Sequence, residues 1–185
     1  MSDQGIIQTI CDQADMEKIV SKMAHDILVA RGNAGDMALI GIQTRGVYLA
    51  RRIQKQIQAI KGAAPPAGSI DITLYRDDWT RISLHPVVRE TRIDFSVDAM
   101  RAILVDDVIF TGRTIRAAMN ALIDFGRPDR IEAAVMVDRG FRELPIHPDY
   151  TGKTIRTKPE ETVDVRLSEH DGMDRIDIRR EEGAP

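Results

Sequence analysis

The chain has 185 residues, 43% of them apolar and 30% charged, the make-up of a soluble globular protein long enough to bury a real core. A formal net charge of −3 excludes a nucleic-acid binder that works through bulk positive charge, so any RNA contact needs a local basic patch. The single cysteine, Cys11, excludes a disulfide framework and a Cys-based metal site.

In chain order, the first residues are polar and acidic, with no basic-then-apolar leader, and no later run reaches membrane-spanning length. The expectation is one cytoplasmic domain over 1–185. Met16, Ile19, Val20, Met23 and Ile27 recur at helical spacing, predicting a helix over 15–30 with Asp15 as N-cap and Gly32 as stop. Residues 37–42 read as a short buried strand, followed by Thr44-Arg45-Gly46. Leu49, Ala50, Ile53, Ile57 and Ile60 mark a second helix. A turn-rich connector covers 61–69, and the alternation of 70–75 predicts a strand. Residues 76–99 are polar, contain Pro86, Arg81, Arg89 and Arg92, and show no period; such a segment inside a compact domain suggests an active-site lid. Residues 101–105 read as a buried strand. Ile115, Ala118, Met119, Leu122 and Ile123 form a helical face closed by Gly126 and Pro128. Another apolar strand covers 131–137, and 163–167 and 175–178 give two more in the tail. Alternating strands and helices imply an α/β fold with a mainly parallel sheet.

The chemistry concentrates at "AILVDDVIFTGRT", 102–114. In parallel sheets ligands bind beyond the carboxyl ends of strands, where Asp106 and Asp107 are expected. The turn Thr111–Thr114 opens the next helix, whose free N–H groups and dipole favour an anion. Gly112 allows close approach, and the threonine hydroxyls add donors. The two acids need a different partner: carboxylates accept hydrogen bonds, and a sugar's vicinal hydroxyls donate them. One ligand carrying a diol and a phosphate, a ribose 5-phosphate, satisfies both halves. The string is neither a Walker A loop nor G-x-G-x-x-G.

The string resembles the 5-phosphoribosyl-1-diphosphate (PRPP) motif of type I phosphoribosyltransferases. With "GIQTRGVYLARRI", "IDITLYRDD", "VDDVIFTGRTIRAAMNALIDFGRP" and "VMVDRGFRELPI", the chain is similar to the PyrR family from about residue 15 to 178. The resemblance implies a central, mainly parallel sheet flanked by helices, a small hood and a flexible lid loop. It implies that uracil and PRPP give UMP and diphosphate, with Mg²⁺ carried by the substrate near Asp106 and Asp107. By the same resemblance those acids hold the ribose 2′- and 3′-hydroxyls. The stretch Val108, Ile109, Phe110, Thr111, Gly112, Arg113 and Thr114 borders the nucleotide, with Thr111–Thr114 on the 5′-phosphate. Thr44, Arg45 and Gly46 form the diphosphate turn, Arg139 and Val163 lie beside the base, and Arg89 serves as a lid residue. Asp106, Asp107 and Arg45 are the expected catalytic groups, and Arg76-Asp77-Asp78 either braces the site or is a solvated turn.

Purine transferases of this type usually carry an acid where this chain has Phe110, which argues for a pyrimidine; the PyrR pattern commonly has tyrosine there, so Phe110 is also a departure. The family's second role is UMP-dependent binding of pyrimidine-operon leader RNA, which controls transcription attenuation. The candidate positions are Ser21, Lys22, His25, Arg142, His147, Lys153 and Arg156. Phe141 and His147 depart from the family's histidine and arginine, while Arg156 and Lys158 supply charge nearby. The alternative is a phosphoribosyltransferase or nucleotide sensor without attenuation. A homodimer or larger assembly is expected.

Overall fold

The computed structural model describes residues 5–30, 34–77 and 90–180. Arg81, Arg89, Asp78 and the helix stop assigned to Gly32 lie outside the described residues.

Five parallel strands form the main sheet: β2 (Met37–Ile42), β3 (Ala67–Ile70), β4 (Arg101–Ile109), β5 (Arg130–Asp138) and β6 (Tyr150–Thr154), in the order β3-β2-β4-β5-β6. A second, antiparallel sheet orders β1 (Ile6–Cys11), β8 (Arg175–Arg180) and β7 (Glu161–Arg166) as β1-β8-β7 and makes the expected hood. Among the described residues the α-helices are α1 (Gln13–Ala30), α2 (Arg45–Lys61), α3 (Arg113–Ile123) and the single turn α4 (Ser168–Asp171).

The apolar run of β4 feeds two separate cores, because successive side chains point to opposite faces. Ile103 and Val105 pack with α1, α2 and the hood. Ala102 and Leu104 pack with α3.

Three expectations are corrected. Asp12, not Asp15, caps α1: its carboxylate accepts the Asp15 N–H at 2.9 Å. The strand expected at 70–75 is Ala67–Ile70, because the Asp71 carboxylate accepts from Thr73 N (2.9 Å) and Thr73 Oγ1 (2.6 Å) and turns the chain into a 3₁₀ segment, Thr73–Tyr75. The strand at 101–105 runs on through both acids to Ile109. Strands β1 and β6 were not anticipated. β1 has two register shifts and leaves Ile7 exposed, so it lacks clean alternation. β6 is a polar edge strand containing a glycine.

Candidate active site

Strand register places the acids. Pairing of β2 with β4 ends at Gly41 with Val105, whereas β5 follows β4 to Ile109 with Asp138. From Asp106 onward β4 therefore has a strand partner on one side only. This is where ligands bind in parallel sheets. Asp107 N donates to Asp106 Oδ1 (3.0 Å) and Val108 N to Asp107 Oδ1 (2.9 Å). Asp106 is only 7% exposed. Burial, and then the adjacent Asp107 charge, push the Asp106 carboxyl well above the usual carboxylate range, opposed by Arg76. Burial also raises Asp107, opposed by its hydrogen bond with Asp106 and by the charge of Arg45.

Two glycines bring α2 against these acids. A Cβ on Gly46 would lie 2.2 Å from the Val105 carbonyl oxygen and 3.2 Å from Asp106 Cα. One on Gly41 would lie 2.4 Å from Val47 Cα. Gly46 is thus required by the sheet it packs on, in addition to the ligand approach expected of it. Gly41, on β2, was missed; a glycine inside a buried strand is the available sign of such an approach. The Gln43–Thr44 peptide bond is cis. Thr44 precedes α2 without capping it through its side chain. Arg45 opens α2 and forms a forked pair with Asp171 of α4, with N···O distances of 2.8 and 3.0 Å.

After β4, Gly112 takes a left-handed φ of 91° and starts α3. The first helical bond runs from Arg116 N to Gly112 O, so the amides of Arg113, Thr114 and Ile115 precede the ladder. A cavity of about 310 Å³ is lined by every residue from Val108 to Thr114, with Arg76, Asp77 and Glu143. Arg113 bridges its rim, pairing with Glu143 (2.7 Å) and with Asp77, which also meets Arg116 at 3.1 Å. Arg76 and Asp77 thus border the site; Glu143 was not anticipated.

The loop after β5 closes over this turn. Thr111 O accepts from Glu143 N (3.0 Å) and Leu144 N (3.1 Å). Arg142, read as an RNA contact, donates to Phe110 O, Ile146 O and Gly140 O and pairs with Asp138 at 2.7 Å. Its guanidinium is held by the protein. Arg139 is buried, bonds to Glu161 O on β7, and stacks 4.1 Å above the Phe110 ring. Phe110 meets Phe141 edge-on at 5.8 Å and stays 38% exposed at the cavity. Phe110 and Phe141, two of the positions read above as departures from the PyrR pattern, therefore touch each other. Val163 is half-buried on β7, packed against the main core.

Among the other RNA candidates, Ser21, Lys22 and His25 are exposed on α1, and Lys22 pairs with Asp26 at 2.6 Å. Lys153 is exposed on β6, the strand α1 packs on: a Cβ on Gly152 would lie 2.5 Å from Ile19 Cγ2. Burial raises the Cys11 thiol, and the charge of Lys153 opposes it, which places that lysine at the start of α1. His147 and Arg156 are exposed beyond the ends of β6. Among the described residues no group of three or more His, Cys, Asp or Glu could hold a metal, and no helix is long and apolar enough to cross a membrane.

The parallel sheet, the acid pair and the cavity at the start of α3 accord with a phosphoribosyltransferase, and the chain belongs to that family: residues 7–170 match the phosphoribosyl transferase domain. Two relatives place it further, among the PyrR proteins. The bifunctional protein PyrR of Desulfosudis oleivorans is 51% identical over 168 residues, 90% of this chain and 93% of that protein. That of Thermus aquaticus is 50% identical over 170 residues, 92% and 94%. Uracil phosphoribosyl transfer and control of the pyrimidine operon, the two roles expected from the motifs, agree with that membership. Solved hypoxanthine phosphoribosyltransferases share the fold. That of Trypanosoma cruzi has a TM-score of 0.72 at 13% identity, covering 97% of this chain and 94% of that one. That of Staphylococcus aureus has 0.69 at 14%, covering 97% and 98%.

Proposed function

We propose that this chain transfers the phosphoribosyl group of PRPP to uracil, giving UMP and diphosphate, and binds pyrimidine-operon leader RNA in its UMP-bound form to control attenuation. The observation that carries the enzymatic half is the juxtaposition of the Asp106–Asp107 pair with the Val108–Thr114 cavity on one strand-turn-helix unit. The acids accept from the ribose hydroxyls, while the amides opening α3 and the threonine hydroxyls take the 5′-phosphate. Displacement at C1′ builds positive charge on the sugar, which the two carboxylates stabilise. Thr44, Arg45 and Gly46 receive the departing diphosphate, with arginine supplying a forked donor.

Two adjacent carboxylates suit Mg²⁺, which binds through one or two acids plus substrate oxygens. When bound, the ion neutralises diphosphate charge. Phe110 supports a pyrimidine, because a phenyl ring stacked under Arg139 offers no proton acceptor to a purine. Arg139, stacked on the Phe110 ring and bonded to Glu161 O of the hood, supports a role beside the base, with Val163 on the same hood strand. The exposed cations Lys22, Lys153 and Arg156, with His25 and His147, supply the RNA face. The apolar Phe141 and the internally held Arg142 favour a second reading, an enzyme or nucleotide sensor that no longer attenuates.

A paired assay on one preparation tests the proposal: UMP formation from uracil, PRPP and Mg²⁺, and a gel shift of the native pyrimidine leader with and without UMP. The first reading expects both activities. Turnover without a UMP-enhanced shift at micromolar protein selects the second reading.

A further inference from the structure

Arg45 and Arg52 lie two turns apart on α2, and both reach the α4 segment of the hood. Arg52 is a clamp, bonded to Glu169 and to Asp174 (2.7 and 2.9 Å). Arg45 gives Nε and Nη2 to the two carboxylate oxygens of Asp171 at 3.0 and 2.8 Å. The Asp171 side chain is only 8% exposed, against 27% for Arg45. Asp171 is itself anchored, because Oδ2 also accepts the Leu167 N–H at 2.9 Å. One edge of the guanidinium is therefore fixed to the hood. Among the described residues nothing accepts from Nη1, on the opposite edge. Asp107 lies near enough to act on Arg45 electrostatically, so the arginine stands between the hood and the acid pair.

We infer that Asp171 is the positioning residue of the diphosphate turn. It fixes the plane of the Arg45 guanidinium, so that the Nη1 edge faces the diphosphate of PRPP. A planar fork oriented by a bidentate carboxylate loses little freedom when it binds. The inference rests on the reading of Thr44–Gly46 as the diphosphate turn. It also gives the hood, which carries Val163, a direct connection to the leaving group.

The test compares inorganic diphosphate, as an inhibitor of UMP formation, with direct calorimetric binding of UMP, which has no diphosphate. Asp171→Asn is expected to weaken diphosphate inhibition about tenfold, the worth of one charge-assisted hydrogen bond, and to raise KM for PRPP. UMP affinity stays within about twofold by the same reasoning. Asp171→Glu, which keeps the charge and moves the carboxylate by one methylene, is expected to give the same selectivity and serves if the asparagine variant folds poorly. Glu169→Gln, at the Arg52 clamp, is expected to lower the melting temperature without selectivity between the two ligands. Equal loss of both ligands in the Asp171 variants, or no loss of either, overturns the proposal. Arg45→Met separates the two levels. If it weakens diphosphate inhibition and the Asp171 variants do not, the turn is read correctly and Asp171 does not position it. If Arg45→Met leaves diphosphate inhibition unchanged, the reading of the turn fails and the inference with it.

Discussion

Gly46→Ala adds a single methyl group, and the structure fixes where it must go. The new Cβ would lie 2.2 Å from Val105 O, 3.1 Å from Val105 C and 3.2 Å from Asp106 Cα. All three are main-chain atoms of β4, so no side chain can swing aside. Restoring ordinary contact requires α2 and β4 to separate by about 1 Å, at an overpacking cost of about 1–3 kcal/mol. Alanine in a helix is intrinsically better than glycine by about 1 kcal/mol, which offsets part of that cost. The net expectation is a loss of stability of at most about 2 kcal/mol, read by denaturant unfolding. Activity falls much further, because the displaced atoms carry Asp106 on one side and Arg45 on the other. A misplacement of this size costs about 100-fold in kcat/KM. A Gly46→Ala enzyme of normal stability and near-normal kcat/KM would refute the claim that this contact sets the site.

Asp106→Asn and Asp107→Asn remove UMP formation while leaving the fold intact. They also stabilise: a carboxyl held above its unfolded value favours the folded state at low pH and disfavours it as pH rises through the raised folded pKa. Asp106→Asn therefore melts above the wild type at pH 7, and the advantage shrinks toward about pH 4 and below. Near-wild-type turnover in the double variant rejects their assigned role. Combined Lys22→Gln, Lys153→Gln and Arg156→Gln weakens UMP-dependent leader binding and flattens its salt dependence by about two to three units of slope, measured by titration at several salt concentrations. Chelation by EDTA stops UMP formation, and added Mg²⁺ restores it, in a continuous assay of uracil consumption.

The centre of the fold was readable because parallel strands buried on both faces make long apolar runs, and 37–42, 101–105 and 131–137 all sit in the main sheet. What escaped lies at the edges. β6 is edge-paired and polar, and β1 is half-exposed and irregular in register, so neither carries the expected period. The motif at 102–114 was legible since its acids and turn are contiguous in sequence. The long-range contacts were not: Arg45 with Asp171, Arg113 with Glu143, and Arg139 with Glu161 join residues that sequence spacing does not pair. Gly41 and Gly46 were visible as residues, but the main-chain atoms they admit belong to other elements.

The account stands most directly on the acceptor base. Uracil and hypoxanthine supplied together with PRPP and Mg²⁺, and the products separated by chromatography, decide it. The expected result is UMP as the product, with hypoxanthine unconsumed, since the Phe110 ring offers no proton acceptor to a purine. Formation of the purine nucleotide without UMP would contradict it.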